Sequence, residues 1–348
     1  MRPPCAKPPC AATTRPLTRC ANMNSSKETT TMQLGFNLSN SGRLSDAGIM
    51  ARVARAGEAL GYDYLTITDH VVLPDMKVPG YPYSESGEFY GADHDERHEQ
   101  LTTTAWIAAQ TQKIRLVLAV IVVPHRQAVL AAKQLATIDV LSGGRLVVGI
   151  GAGWLKAEFD AVVTTPFAER GPVTDEYLRV FKTLWTNETS SFSGKYVNYE
   201  NIAFKPLPIQ KPHPPIWVGG ESPPSIRRTA RYGDAWYPIG TNQKHPLGSI
   251  EQLAAGMDKL KQMTIDAGRD PKAVTTVLRF KRFGDEVPEK ATDGNHRLMH
   301  GTPAQMAADI RALRDLGVTA IDIDIEKPTE AESLTRLTRF KGDVWPLV

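Results

Sequence analysis

Leu135-Ala136-Thr137-Ile138-Asp139-Val140-Leu141-Ser142-Gly143-Gly144-Arg145, then Leu146-Val147-Val148-Gly149-Ile150, then Gly151-Ala152-Gly153-Trp154, sets out the pattern of the whole chain. A helical segment ends at glycine, a strand-sized apolar run follows, and further glycines open the next connection. The same alternation recurs on both sides. Strand-like runs are predicted at 34–37, 64–68, 115–123, 146–150, 216–219, 235–239, 274–280 and 320–325. The helix predicted at 46–60 carries Met50, Val53, Ala54, Gly57 and Leu60 on one face. Another starts at Thr302-Pro303-Ala304-Gln305, an N-cap, a first-turn proline and a capping-box glutamine, with Met306, Ile310 and Leu313 turned inward. Gly61, Gly143, Gly233 and Gly317 mark junctions where a left-handed residue is expected. Eight parallel strands wound with helices predict an α/β fold, a closed (β/α)8 TIM barrel.

Three connections, 71–98, 159–215 and 281–301, are longer than ordinary barrel loops. Each follows a strand's C-terminal end, the face where such barrels carry their chemistry, so they are expected to form a lid or chamber. The middle one is predicted to hold a helix at 173–185 and a hairpin through 192–204.

The formal charge of +3 is misleading. Residues 1–31 carry Arg2, Lys7, Arg15, Arg19 and Lys27 against Glu28 alone, and setting them aside leaves a net charge of −1 on 32–348. No basic field remains to recruit nucleic acid or an anionic membrane surface. All cysteines, Cys5, Cys10 and Cys20, lie in the same leader, which excludes disulfides and thiolate metal sites from the folded part and suits a cytoplasmic setting. The leader is expected to be a disordered extension, or an over-long start whose true initiator is Met32 or Met23. No apolar run approaches the roughly 18 residues of a membrane span.

Candidate chemistry sits after three strands. Thr68-Asp69-His70 brings a carboxylate and an imidazole to the barrel mouth, where His70 could relay a proton or bind a substrate oxygen; a turn-capping pair is the alternative. The glycines of Gly149-Ile150-Gly151-Ala152-Gly153-Trp154 suggest close backbone approach to a ligand. A dinucleotide fingerprint fails in both registers, because Trp154 or Lys156 stands where its third glycine belongs. Trp154 itself could line a cofactor or pack beneath a loop. Gly219-Gly220-Glu221-Ser222-Pro223-Pro224 opens a helix, and its main-chain amides, the helix dipole and Ser222 suit a phosphate; an ordinary N-cap has the same geometry. No metal-ligand spacing, nucleophile elbow or phosphate-loop lysine is present, so metallohydrolase, esterase and kinase readings lack support. A sugar-phosphate isomerase or aldolase would need a strand-end base or lysine, and a barrel that binds cofactor without turnover is a further alternative. His94, His98, His213 and His245 read as solvated loop residues.

Together these segments resemble the luciferase-like monooxygenase superfamily, in particular its F420-dependent oxidoreductase branch. The resemblance rests on Gly61-Tyr62-Asp63 leading to Thr68-Asp69-His70, Pro124-His125-Arg126, the run from Leu135 to Trp154, Pro166-Phe167-Ala168-Glu169-Arg170-Gly171, Pro215-Ile216-Trp217-Val218-Gly219-Gly220 and Gly233-Asp234-Ala235-Trp236. It implies a coenzyme F420 ring at the mouth, with FMN as the alternative, backed by a bulge where the family has a non-prolyl cis peptide. On this chain that bond joins Ala119 and Val120, bulkier residues than many relatives carry there. By the same route Asp69 and His70 would face ring and substrate, Gly151, Gly153 and Trp154 would border the cofactor, and Gly219, Gly220, Glu221 and Ser222 would hold its phosphate. Trp154 stands where the branch's sugar-phosphate dehydrogenases carry a catalytic Glu, which disfavours glucose-6-phosphate. A small-molecule substrate and a homodimer are also implied.

Overall fold

Runs rich in Val, Ile and Leu form strands here because branched side chains suit a pleated surface buried on both faces. The computed structural model describes residues 32–74, 78–81, 83, 87–89 and 96–348. The leader, 1–31, lies outside the described residues, and Met32–Val348 forms one unit. Its barrel strands are β1 (Gln33–Asn37), β2 (Tyr64–Ile67), β3 (Arg115–Leu118), β4 (Leu146–Gly151), β5 (Ile216–Gly219), β6 (Ala235–Tyr237), β7 (Thr275–Phe280) and β8 (Val318–Asp324). All neighbours pair in parallel, β8 beside β1 and β4 beside β5, so the sheet closes as the (β/α)8 TIM barrel expected.

The helices around it are α1 (Ala47–Ala59), α2 (Gln100–Gln110), α3 (Ala128–Leu141), α4 (Lys156–Val162), α5 (Arg170–Thr186), α6 (Pro223–Tyr232), α7 (Ile250–Asp266), α8 (Pro303–Leu316) and α9 (Glu330–Arg339). Asp46 caps α1 by accepting from the Ile49 N–H, and Thr302 with Gln305 forms the capping box of α8. The hairpin of the middle connection pairs Thr189–Ser193 with Asn198–Ala203.

Three expectations need correction. The run 115–123 is not one strand: β3 stops at Leu118 and the chain resumes as Ile121–Val122. Val117 faces Val147 and Ile121 faces Ile150, so an extra residue bulges at Ala119 and Val120, whose peptide bond is cis. The continuous ladder of the sixth strand ends at Tyr237, where Pro238 has no N–H to donate, and pairing resumes as a single bridge between Ile239 and Arg279. Gly233 is extended rather than left-handed, with φ −82°. A Cβ there would lie 2.9 Å from Val218 Cγ2 and 3.1 Å from the Thr229 carbonyl oxygen, so crowding, not dihedral freedom, demands glycine.

The bore is filled from within. Tyr64, Trp217 and Tyr237 meet edge to face, each successive pair of ring centroids 5.5 Å apart, among Val117, Val147, Val277 and Ala320. Asp322 is wholly buried beside them, accepts from the Tyr237 hydroxyl at 2.7 Å, and lies 3.8 Å from Arg279. Burial pushes its carboxyl up to about 6 despite that guanidinium. The bore itself therefore leaves no room for a planar ligand.

Candidate active site

His70 follows β2 at the mouth, and its Nδ1 lies 2.8 Å from Glu158 Oε2 of α4. The other oxygen of Glu158 accepts from the Val71 N–H at 2.6 Å. Burial alone would raise the Glu158 carboxyl, but His70 and the Val71 N–H outweigh it and hold it below its ordinary value. The pair therefore presents an ionised carboxylate to the Nδ1–H, and Nε2 is the ring nitrogen on the side away from Glu158.

Asp69, one residue earlier, is committed elsewhere. Its oxygens accept from both terminal nitrogens of Arg126 at 2.8 Å and from the Val122 N–H at 2.8 Å. Arg126 also donates to Glu99 at 2.5 Å. The carboxylate thus ties the end of β2 to the segment just beyond the bulge. His125 abuts this network. Burial pushes its imidazole pKa down, and its Nδ1 is buried without a hydrogen-bond partner.

Trp154 reaches the first long connection. Its ring lies 5.0 Å from Tyr81 and 5.2 Å from Phe89, and Phe89 in turn lies 5.2 Å from His70. Lys281, at the end of β7, donates to the Tyr81 hydroxyl at 2.8 Å. Described parts of the 71–98 connection therefore cover the mouth with aromatic rings.

The glycines at the ends of β4 and β5 meet neighbours within the barrel. A Cβ on Gly149 would strike the Leu118 carbonyl, and one on Gly151 or Gly219 would lie 2.6 or 2.9 Å from a Val120 methyl. They make room for the bulge, so close approach to Leu118 and Val120 already requires glycine at these positions. Ala119 packs with Val120 against the bore.

At the start of α6, the Ser222 side chain accepts from no main-chain N–H of the first turn; its Oγ lies 2.9 Å from Ser225 Oγ. Two hydroxyls thus stand together at a positive helix end whose first turn has no acidic side chain. Pro223 and Pro224 lack N–H groups, so fewer amides are on offer than the glycine pair suggested. Gly220 is left-handed, with φ +97°. Glu221 turns away: its carboxylate is buried and accepts from the Ile239 N–H (2.5 Å), Asn242 (2.7 Å) and the Tyr83 hydroxyl (3.1 Å). Burial pushes it up to about 7 against those donors.

Sequence reasoning did not single out Glu158, Arg126, Arg170, Tyr81, Phe89 or Lys281 as site residues. Arg170 and Arg126 lay within quoted motifs, whereas Glu158 gave no local signal. Arg170 donates to the Gly153 and Phe167 carbonyls, placing a cation beside the glycine loop. Among the remaining histidines, His98 bonds the Ser45 carbonyl, His213 packs on Trp185, and His94 lies outside the described residues.

The family model for luciferase-like monooxygenases matches residues 29–299. An FMNH(2)-dependent dimethylsulfone monooxygenase from Pseudomonas putida is 32% identical over 280 residues, covering 67% of this chain and 74% of that protein. The chain belongs to the luciferase-like monooxygenase family. Members of this family are named monooxygenases and oxidoreductases, and this luciferase-like chain is accordingly an oxidoreductase. Its fold matches an F420-dependent secondary alcohol dehydrogenase solved with an F420-acetone adduct, with TM-score 0.70 and 16% identity over 91% of this chain and 99% of that one. It also matches the oxygenating constituent of a 3,6-diketocamphane monooxygenase from a Pseudomonas putida plasmid, solved with FMN, with TM-score 0.64 and 16% identity over 91% and 99% of the two chains. No helix among the described residues is long and apolar enough to cross a membrane.

Proposed function

We propose that this luciferase-like enzyme works with coenzyme F420 and moves a hydride to or from a small organic substrate at the barrel mouth. The observation that carries the reading is the oriented imidazole: His70 held at a strand end by buried Glu158, with Nε2 on the side away from it. The residues present fit the coenzyme. Because the bore is filled, a planar ring would lie across the strand ends near Ala119 and Val120, and the Tyr81 and Phe89 side chains that pack on Trp154 and His70 would have to shift to admit it. Ser222 and Ser225, with Arg170 beside Gly153, suit an anionic tail. When bound, F420 supplies two-electron chemistry with little reactivity toward oxygen. His70 supplies or takes the substrate proton through Nε2, Glu158 fixes its tautomer, and Asp69 with Arg126 holds the strand ends in register. The aromatic cover excludes water from the reacting atoms. The same reading includes a homodimer and a cytoplasmic setting.

The test is titration of purified protein with F420 and with FMN, followed by absorbance and fluorescence, then repeated with Ser222→Glu. A carboxylate at the start of α6 suits the helix dipole and should preserve folding while weakening the phosphate-bearing ligand about tenfold or more. Absence of binding to the unaltered protein would end the redox reading, and undiminished binding to the variant would move the phosphate elsewhere. A second reading, FMN with oxygen and a small organosulfur substrate, is favoured by the dimethylsulfone monooxygenase relative. Oxygen uptake with reduced FMN that depends on dimethylsulfone would establish it over the first.

A further inference from the structure

Alternation along β7 turns successive side chains to opposite faces of the sheet. Arg279 enters the bore, where its Nη1 donates to Thr66 Oγ1 at 3.3 Å, and Phe280 turns outward into the core between barrel and helices. Lys281, the next residue, therefore falls on the inner side again, just beyond the strand end. Its ammonium donates to the Tyr81 hydroxyl at 2.8 Å and lies 5.0 Å from the centre of that ring. Among the described residues no carboxylate is within ion-pair distance of Lys281, and the residue is only partly exposed.

A partly buried ammonium gives up hydration, and a neutral phenol returns one hydrogen bond without a countercharge. An anion in place of that hydroxyl supplies the charge and a stronger, charge-assisted bond. The phenol also shows what shape the ammonium accepts beside it. Its ring packs 5.0 Å from Trp154 and 5.1 Å from Phe89, and Phe89 in turn lies 5.2 Å from His70. Tyr83 meets it edge-on at 5.6 Å. Aromatic walls of this kind favour another flat ring, and they run from the cation toward the imidazole.

We propose that Lys281 is a specificity residue for a small aromatic acid: the carboxylate or sulfonate of the substrate replaces the Tyr81 hydroxyl on the ammonium, and its ring takes the place of the phenol beside Trp154 and Phe89. The Tyr81 side chain stands in for this substrate and leaves the seat when one arrives. Placement of the reacting atom toward His70 rests on the mouth being the reaction site; recognition of the acid by Lys281 does not.

The experiment is isothermal titration of the full chain, without coenzyme, with sodium benzoate, sodium benzenesulfonate and neutral benzamide, comparing the unaltered protein with Lys281→Met, Lys281→Gln, Lys281→Arg and Tyr81→Phe. The unaltered protein is expected to bind both acids about tenfold more tightly than benzamide. Lys281→Met and Lys281→Gln should lose that preference with benzamide affinity unchanged, and Lys281→Arg should keep it. Tyr81→Phe, which lacks the hydroxyl that competes for the ammonium, should bind benzoate severalfold more tightly. No detectable binding of the acids, equal affinity for acids and amide, or a preference that survives Lys281→Met and Lys281→Gln overturns the assignment. Equal losses for acids and benzamide in both variants would make Lys281 a packing residue and overturn it too. Failure of Tyr81→Phe to tighten benzoate overturns the stand-in role of the phenol. Because the acids are titrated alone, absence of F420 and FMN binding would end the redox reading and leave this result standing, so the two readings fail separately.

Discussion

His70 and Asp69 are neighbours in the chain with opposite fates, and the difference lies in which way each faces from the end of β2. Asp69 turns inward to a guanidinium 57 residues away, His70 outward to a carboxylate 88 residues away. His70→Ala should leave coenzyme affinity unchanged and slow turnover by about a hundredfold, within the range of a lost general acid or base; unchanged turnover would remove it from the mechanism. Glu158→Gln should lower kcat with coenzyme affinity unchanged, because an amide does not fix the Nδ1–H of His70 as the carboxylate does, and Glu158→Asp should retain part of the rate. An equal fall in rate in both variants, matched by lost stability in urea unfolding, would mean that Glu158 serves packing alone. Asp69→Asn leaves Arg126 buried with Glu99 as its remaining partner, and should cost about 3 kcal/mol in urea unfolding.

Among the elements, the broken third strand has the widest consequences. Its bulge places Val120 against Gly151 and Gly219, and Leu118 against Gly149, so glycines on two further strands answer to one irregularity on a third. Gly219→Ala should destabilise by about 2 kcal/mol through overpacking, and Val120→Ala in the same chain should recover much of it, because the obstacle is a methyl group. Gly149→Ala meets a backbone carbonyl, and Val120→Ala should not rescue it. Additive losses in both double variants, read from denaturant unfolding, would show that the glycines do not answer to Val120. The positions of these glycines were legible in the sequence, whereas their reason was not: a glycine run signals close approach without saying what approaches. The same limit applied to Gly233, where the chain shows a junction but the crowding comes from Val218 and Thr229.

For the molecule as a whole, acid groups buried at the mouth and in the bore set a pH dependence of stability. Glu221, held near 7 in the fold against an ordinary value of 4.5, binds its proton more tightly folded than unfolded. Its contribution is therefore greatest below about pH 4.5 and is lost as pH rises to about 7, a change of roughly 3 kcal/mol. Glu221→Gln has no such proton to lose, so the stability difference between it and the unaltered protein should drift by that amount across this window, with the variant gaining as pH rises. A constant difference from pH 4.5 to 7.5 in urea melts would contradict the burial argument.

The order of apolar runs, caps and helix-ending glycines already determined a closed barrel and the face on which its long connections gather, because strand and helix periods are local properties of the chain. The N-cap of α1 and the capping box of α8 were legible for the same reason. Which carboxylate holds His70, that Asp69 binds Arg126, that Glu221 turns away from the helix start, and that Lys281 meets Tyr81 were decided only by the tertiary structure. Pairings of that kind depend on barrel closure, which brings together side chains from distant segments whose separation along the chain leaves no pattern to read.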